Sequence, residues 1–231
     1  MAAQPVDKPV CGSCGAPALR PFRAPQPEIA PDLDMRPGEP ARSTLSDWVR
    51  TCRRCAAAAP DLSVLTPRAA AVVESAAYQA LTRSGQEETL PFRRWAFLCE
   101  RTGDTANQAE ALLQAAWAAD DAAAMTDAAG FRTQVAALWA GTTDIETALR
   151  RLDVLRRAGA LEEAAAWATH LVSLTREETA TALIRFQQAR IALRDVGRHL
   201  ISAAMPPPAH APHVSHGKRA ATGFWSRLLK R

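Results

Sequence analysis

Aromatic residues are scarce in this chain, at 6% of 231 residues with a single tyrosine, and β-branched runs are few. The 48% hydrophobic content is therefore carried largely by alanine, the best helix former. That composition speaks for an all-α body. No stretch approaches the ~18 uncharged apolar residues of a membrane span. The sequence has no Gly-rich phosphate loop, no nucleophile elbow and no His/carboxylate metal set, so no enzyme class is announced by its motif. Met1 to Val10 lack the charged-then-apolar pattern of a secretory signal. The expectation is a cytoplasmic protein whose thiols stay reduced.

Acidic residues are missing from one region. Residues 206–231 carry Lys218, Arg219, Arg227, Lys230 and Arg231 and no Asp or Glu, a charge of +5. Residues 1–60 are +2, so the remaining 61–205 are −3 within the overall +4. The helical body is mildly acidic and only the tail is basic, which argues against a protein that coats nucleic acid over its whole surface.

Two pairs of cysteines are present near the N-terminus: Cys11-Gly-Ser-Cys14 and Cys52-Arg-Arg-Cys55. A CxxC turn aims two sulfurs at one ion, and two such turns complete the tetrahedral shell of a structural zinc. Gly12 and Gly15 let the first hook curl, because glycine accepts positive φ. Ala56 follows the second hook where glycine would be easier. Arg53 and Arg54 can offset the charge of four thiolates. The Pro-rich insert of 36 residues between the hooks is longer than that of a compact zinc finger and reads as extended chain and turns. A redox CxxC and two unligated or disulfide-linked pairs are the competing readings. The first lacks its βαβ setting, and a reducing compartment argues against the disulfides of the second. Four cysteines close the shell, so one structural Zn²⁺ per chain is expected rather than a catalytic ion.

Leu45–Thr51 is expected to form a strand leading into the second hook, with Trp48 packed against the zinc lobe. From Thr66 the hydrophobic period changes to that of helices. Val72, Val73, Ala76, Ala77 and Leu81 make the first stripe, up to Gly85. Phe92, Trp95, Ala96 and Cys99 make the second, closed by Gly103. Ala109, Leu112, Leu113, Ala116 and Trp117 form the third, and Phe131, Val135, Leu138 and Trp139 the fourth, up to Gly141. Thr143 with Glu146 reads as a capping box for Ile145, Leu149 and Leu152, ended by Gly159. Leu161, Ala164, Ala165, Ala168 and Leu171 follow. Thr175 with Glu178 opens the last and longest helix, toward Met205. Short turns between such helices give stacked αα-hairpins. Arg157–Ala164 resembles the inter-helix turn of a tetratricopeptide repeat (TPR), and Arg101–Asp104 resembles it more loosely. Gly103 and Gly159 are 56 residues apart, which fits no regular 34-residue array. The expected fold is mainly α: a zinc-ribbon-like module over 1–66, a degenerate TPR-like helical domain over 67–204, and a disordered Pro/His-rich basic tail over 205–231.

Several stretches carry a family resemblance: Pro31-Asp32-Leu33-Asp34-Met35-Arg36-Pro37, Ala41-Arg42-Ser43-Thr44, Trp48-Val49, the second hook with Ala59-Pro60-Asp61, and Ala115-Ala116-Trp117-Ala118-Ala119-Asp120-Asp121. Together they resemble a bacterial protein family that joins an N-terminal CxxC…CxxC module to TPR-like helices and has no assigned activity. The resemblance covers about the first 140 residues. The second hook departs from the more usual Cys-Pro-x-Cys-Gly-Tyr form. The resemblance supports the domain plan and implies no mechanism.

Asp32 and Asp34 at i, i+2 share a face of extended chain, as an acid/base pair or a hard-cation site would. The plainer reading is an ion pair with Arg36 or Arg42 that orders the insert. Cys99 reads as a core residue, and His170 and His199 sit in no recognisable motif. Trp95, Trp117, Trp139 and Trp167 read as core and inter-helix spacers, with a peptide-binding aromatic groove as the alternative. His210, His213 and His216 can bind metal only weakly. If the tail end is helical, Phe224, Trp225, Leu228 and Leu229 fall on one side and Arg227, Lys230 and Arg231 outside. Such a motif suits a partner groove or an acidic membrane surface; a frayed tail or a strap folded back on the body is the alternative.

The function these readings favour is a zinc-stabilised, non-enzymatic interaction or scaffold protein with a protein partner. A nucleic-acid-binding zinc ribbon using Arg50, Arg53 and Arg54 is the alternative, and an enzyme ranks last.

Overall fold

The computed structural model describes residues 9–205. Within them the architecture is mainly α-helical, with a single two-stranded sheet. The helices are α1 (Arg68–Glu74), α2 (Ala76–Ala80), α3 (Leu90–Thr102), α4 (Thr105–Asp121), α5 (Met125–Leu138), α6 (Ile145–Arg157), α7 (Leu161–Leu174) and α8 (Glu178–Ala192). The strands β1 (Arg50–Thr51) and β2 (Ala58–Ala59) pair antiparallel across the second hook.

From α3 onward each helix packs against the next, so the short turns make helical hairpins. The longest helix is α4, and it is apolar nearly all round. Ala109, Ala111, Ala115, Ala116, Ala118 and Ala119 are all buried with Leu112, Leu113 and Trp117. A helix of that kind belongs inside, and its small side chains let α3, α5 and the insert approach it closely.

The hydrophobic stripes of α3 to α7 largely match the buried faces, with local departures. The first expected helix is broken at Ser75, whose extended backbone (ψ 144°) and hydroxyl, accepting from the Tyr78 amide at 3.3 Å, start α2 afresh. The break rotates Ala76 and Ala77 to solvent and buries Tyr78. Ala165 is also exposed. The two expected capping boxes are replaced by neighbours. Asp144 caps α6 by accepting from the Thr147 amide at 2.8 Å. Glu177 caps α8 through Thr179 and Ala180. In both cases a carboxylate displaces a hydroxyl, and it is favoured there by the helix dipole. Helix α8 ends at Ala192, well short of Met205 and shorter than α4. The chain then turns, pairs Leu200 with Asp32, and forms a 3₁₀ turn over Ile201–Ala204.

The glycine spacing concealed a period. Left-handed residues end α4, α6 and α8 at Ala123 (φ 55°), Gly159 (φ 81°) and Arg194 (φ 52°), 36 and then 35 residues apart. Each is followed by an amide that reaches back to the carbonyl five residues before: Ala124 to Ala119, Ala160 to Leu155, Asp195 to Arg190. These are Schellman-type caps, and two of the three lack glycine. Hairpins α5–α6 and α7–α8 therefore repeat at nearly constant spacing.

The region Leu45–Thr51 is not one strand. A 3₁₀ helix over Arg42–Asp47 precedes the two-residue β1. Trp48 turns away from the hooks. Its indole N–H donates to Thr44 Oγ1 at 3.0 Å, and its ring meets Trp117 edge-on with centroids 6.3 Å apart. Leu33, Leu45 and Val49 of the insert share one core with helices α3 to α8, whereas Cys11, Cys52, Leu62, Val73 and Tyr78 form a second cluster around the hooks.

Candidate metal centre

The two hooks are built alike. In the first, the Cys11 amide donates to Ala16 O at 2.8 Å, and the Gly15 amide returns to Cys11 O at 2.7 Å. In the second, the Cys52 amide donates to Ala57 O at 2.8 Å, and the Ala56 amide returns to Cys52 O at 2.9 Å. The residue four after each leading cysteine is left-handed: Gly15 at φ 71° and Ala56 at φ 62°. Alanine thus occupies the position where glycine was expected to be easier, and does so against the steric preference of an L-residue. Gly12 is required for a different reason. A Cβ there would lie 1.7 Å from the carbonyl oxygen of Leu65, and its amide donates to Leu62 O at 2.9 Å. The first hook is pressed against the chain leaving the second.

The construction brings Cys11, Cys14, Cys52 and Cys55 together, with all four sulfurs within 4.8 Å of one another. Cys11 Sγ is 3.9 Å from Cys55 Sγ, and Cys14 Sγ is 3.7 Å from Cys52 Sγ. A tetrahedral shell with Zn–S near ~2.3 Å has S···S edges of about 3.8 Å. A disulfide needs about 2.05 Å, so these are free thiols at metal-binding separation. The donors fit a soft or borderline ion such as Zn²⁺, and four sulfurs leave no open coordination position.

The thiols share a partly desolvated site. Burial raises Cys11 and pushes Cys55 up to about 12. Burial also opposes ionisation of Cys52, but amides of Cys55 and Arg54 and the neighbouring thiols hold it down at about 7. Beneath the second hook, Tyr78 donates its hydroxyl to Ala56 O at 3.0 Å. Its ring meets Phe97 edge-on at 5.8 Å and carries the buried Arg94 guanidinium at 5.6 Å. Helices α2 and α3 thus brace the loop that needs the strained alanine. Sequence reasoning missed Tyr78 because the break at Ser75 sets its direction; its being the single tyrosine was the available signal.

The other candidate residues lie elsewhere. Arg50 is engaged by Asp47 at 2.9 Å and stacks over Phe22 at 5.5 Å, whereas Arg53 and Arg54 are exposed at the hook tip. Cys99 is buried in α3 outside the sulfur cluster, and burial pushes its thiol up to about 12. His170 lies beside Trp167, and His199 meets Asp195 at 2.8 Å. His210, His213, His216, Phe224, Trp225, Leu228 and Leu229 lie outside the described residues.

Asp32 and Asp34 bind arginines. Asp32 takes both terminal nitrogens of Arg42 at 3.0 Å, and Arg198 lies 3.7 Å away. Burial and the neighbouring Asp34 raise the Asp32 carboxyl despite Arg42. Asp34 is fully buried and accepts from Trp117 Nε1 at 2.9 Å and Arg157 at 3.0 Å, with Arg132 at 4.0 Å. Burial opposes its charge, but Arg157, Arg132 and the Trp117 N–H outweigh burial and hold the carboxyl below its usual range. The Arg36 amide donates to Asp34 Oδ1 at 3.2 Å, but its guanidinium pairs with neither of these carboxylates and crosses to Asp121 on α4. The ion-pair reading therefore holds for Asp32 with Arg42. Asp34 instead joins the insert to helices α4, α5 and α6. Buried arginines such as Arg132 and Arg156 were unreadable from helical stripes, which place charge outside.

Among the described residues, no helix is long and apolar enough to cross a membrane. Compared with known protein families, curated proteins and solved structures, the chain shows no match.

Proposed function

We propose that the chain is a non-enzymatic scaffold whose N-terminal hooks are held by one structural Zn²⁺ and whose helical hairpins present a surface to a protein partner in a reducing compartment. The observation that carries this reading is the closed set of four sulfurs at tetrahedral spacing. Metal bound there by Cys11, Cys14, Cys52 and Cys55 supplies folding energy and leaves no position for substrate. Asp32 and Asp34, both buried, are spent on arginines, which weighs against acid/base chemistry at that run. The TPR-like character of the hairpins belongs to this proposal and is supported by the repeated turn spacing; the family resemblance also belongs to it and rests on the four-cysteine cluster followed by helices.

Elemental analysis of untagged protein beside Cys52→Ser tests the metal. One zinc per chain, lost in the variant, is expected, and zinc-free folded protein refutes the centre. Photo-crosslinkers placed in the cell at exposed Gln134 and His170 test the partner, and a discrete protein adduct is expected there. A second reading, nucleic-acid binding, is favoured by the exposed Arg53 and Arg54 side by side at the hook tip. It predicts salt-dependent binding that Arg53→Ala with Arg54→Ala removes.

A further inference from the structure

Two large clefts flank the insert, and their charges differ in sign. The first, about 610 Å³, is lined by Arg36, Arg42, Arg132, Arg157 and Arg198 against only two aspartates, Asp120 and Asp121. The second, about 1180 Å³, runs between the insert and helices α4 and α6. Its charged lining is Glu110, Asp144 and Glu146 against Arg150 alone, and Arg150 is already bonded to Glu110 at 2.6 Å. Pro25, Pro27, Pro31 and Met35 form one wall, Trp48 contributes aromatic surface, and the buried Trp117 lies at the floor. The groove is therefore acidic, proline-edged and aromatic.

The described residues end beside it. The Ile201 amide donates to Pro31 O at 2.9 Å, Leu200 pairs with Asp32, and Ala204 and Met205 pack on the core that contains Leu33 and Trp117. Pro31 is itself part of the groove wall. The 26 residues beyond Met205 have the complementary chemistry: five Lys or Arg, no acid, and Phe224, Trp225, Leu228 and Leu229. Residues 206–217 span at most about 40 Å when extended, enough to cross a small domain. A short tether also holds the segment at an effective concentration of order mM, so weak contacts suffice.

We propose that this acidic, tryptophan-lined groove is the seat of the chain's own C-terminal segment, residues 217–231. The arginine-lined cleft, whose arginines are paired with Asp32, Asp34, Asp120 and Asp121, offers that segment no acidic excess. The groove attracts it and offers apolar surface for its aromatic pair. The inference stands apart from the metal and from the scaffold reading, since it needs neither zinc nor a partner.

The test is amide hydrogen exchange on the full chain. Exchange of residues 217–231 is compared with that of a free synthetic peptide of 206–231. We expect slowing by about 10-fold or more, unchanged when the protein is diluted. Gln114→Lys with Glu146→Lys, which reverses the groove charge, returns the tail to the peptide rate while α3–α8 exchange as before. Phe224→Ser with Trp225→Ser does the same without touching the body. A wild-type tail that exchanges at the peptide rate overturns the proposal. So does protection that rises with protein concentration, which indicates a second copy, or protection that appears only with anionic vesicles, which indicates a membrane. Protection that survives in the groove variant also overturns it, since the tail then sits elsewhere.

Discussion

Replacing Asp34 by Asn removes one charge from the centre of the joint between insert and helices. The side chain keeps its shape and an oxygen for the Trp117 N–H, which donates at 2.9 Å. The change falls on the balance around Arg157 and Arg132, which lie 3.0 and 4.0 Å from Asp34 and are themselves buried. Breaking a buried ion pair by deleting one partner costs ~3–5 kcal/mol. Asp120 still bonds both arginines, so the lower end applies, about 3 kcal/mol. For a chain of this size that lowers Tm by roughly 6–12 °C. Asp47→Asn is the control: Asp47 is half exposed and meets Arg50 at 2.9 Å, so its loss stays within ~0.5 kcal/mol. The assay is thermal unfolding by circular dichroism with zinc saturating, so that metal loss does not spoil two-state analysis. The pH dependence follows from the depressed folded-state pKa of Asp34. Its stabilisation is fully present above the ordinary value of 3.8 and is lost as pH falls through the lower folded value. The gap between wild type and variant is therefore constant near neutrality and narrows only in acid, as pH falls below 3.8 towards the lower folded value. A loss under about 1 kcal/mol, or a gap that does not narrow in acid, refutes the buried-hub argument.

Two further substitution pairs test the backbone reading. Gly12→Ala places a Cβ 1.7 Å from Leu65 O and should weaken zinc retention in a chelator competition, whereas Gly130→Ala, with nothing within 4 Å and mid-helix in α5, should raise stability by about 0.5–1 kcal/mol. Ala56→Gly and Ala123→Gly relieve left-handed alanines at φ 62° and 55°. Each should gain about 0.5–1 kcal/mol in denaturant unfolding, the relief of a ~1–2 kcal/mol strain less the added chain entropy.

Elements whose causes are local were legible in the linear chain. Paired CxxC spacing announced the sulfur set, because two residues between cysteines suffice to aim both at one ion. Periodic apolar residues announced helices α3 to α7, because alanine and leucine at helical spacing bury one face whatever lies opposite. Gly103 and Gly159 marked true turns, since each is left-handed. Packing decided the features that depend on contacts distant in the chain. It alone told that Ser75 breaks the first helix to bring Tyr78 under Ala56, that Trp48 faces Trp117 rather than the hooks, and that Ala123 and Arg194 accept the conformation a glycine would take. Only the fold carried Asp34 to Arg157, 123 positions away, and Arg36 past both nearby aspartates to Asp121. A buried arginine looks like any surface arginine in a linear pattern. Its burial becomes tolerable when a carboxylate from another segment arrives, and the assembled chain sets that arrival.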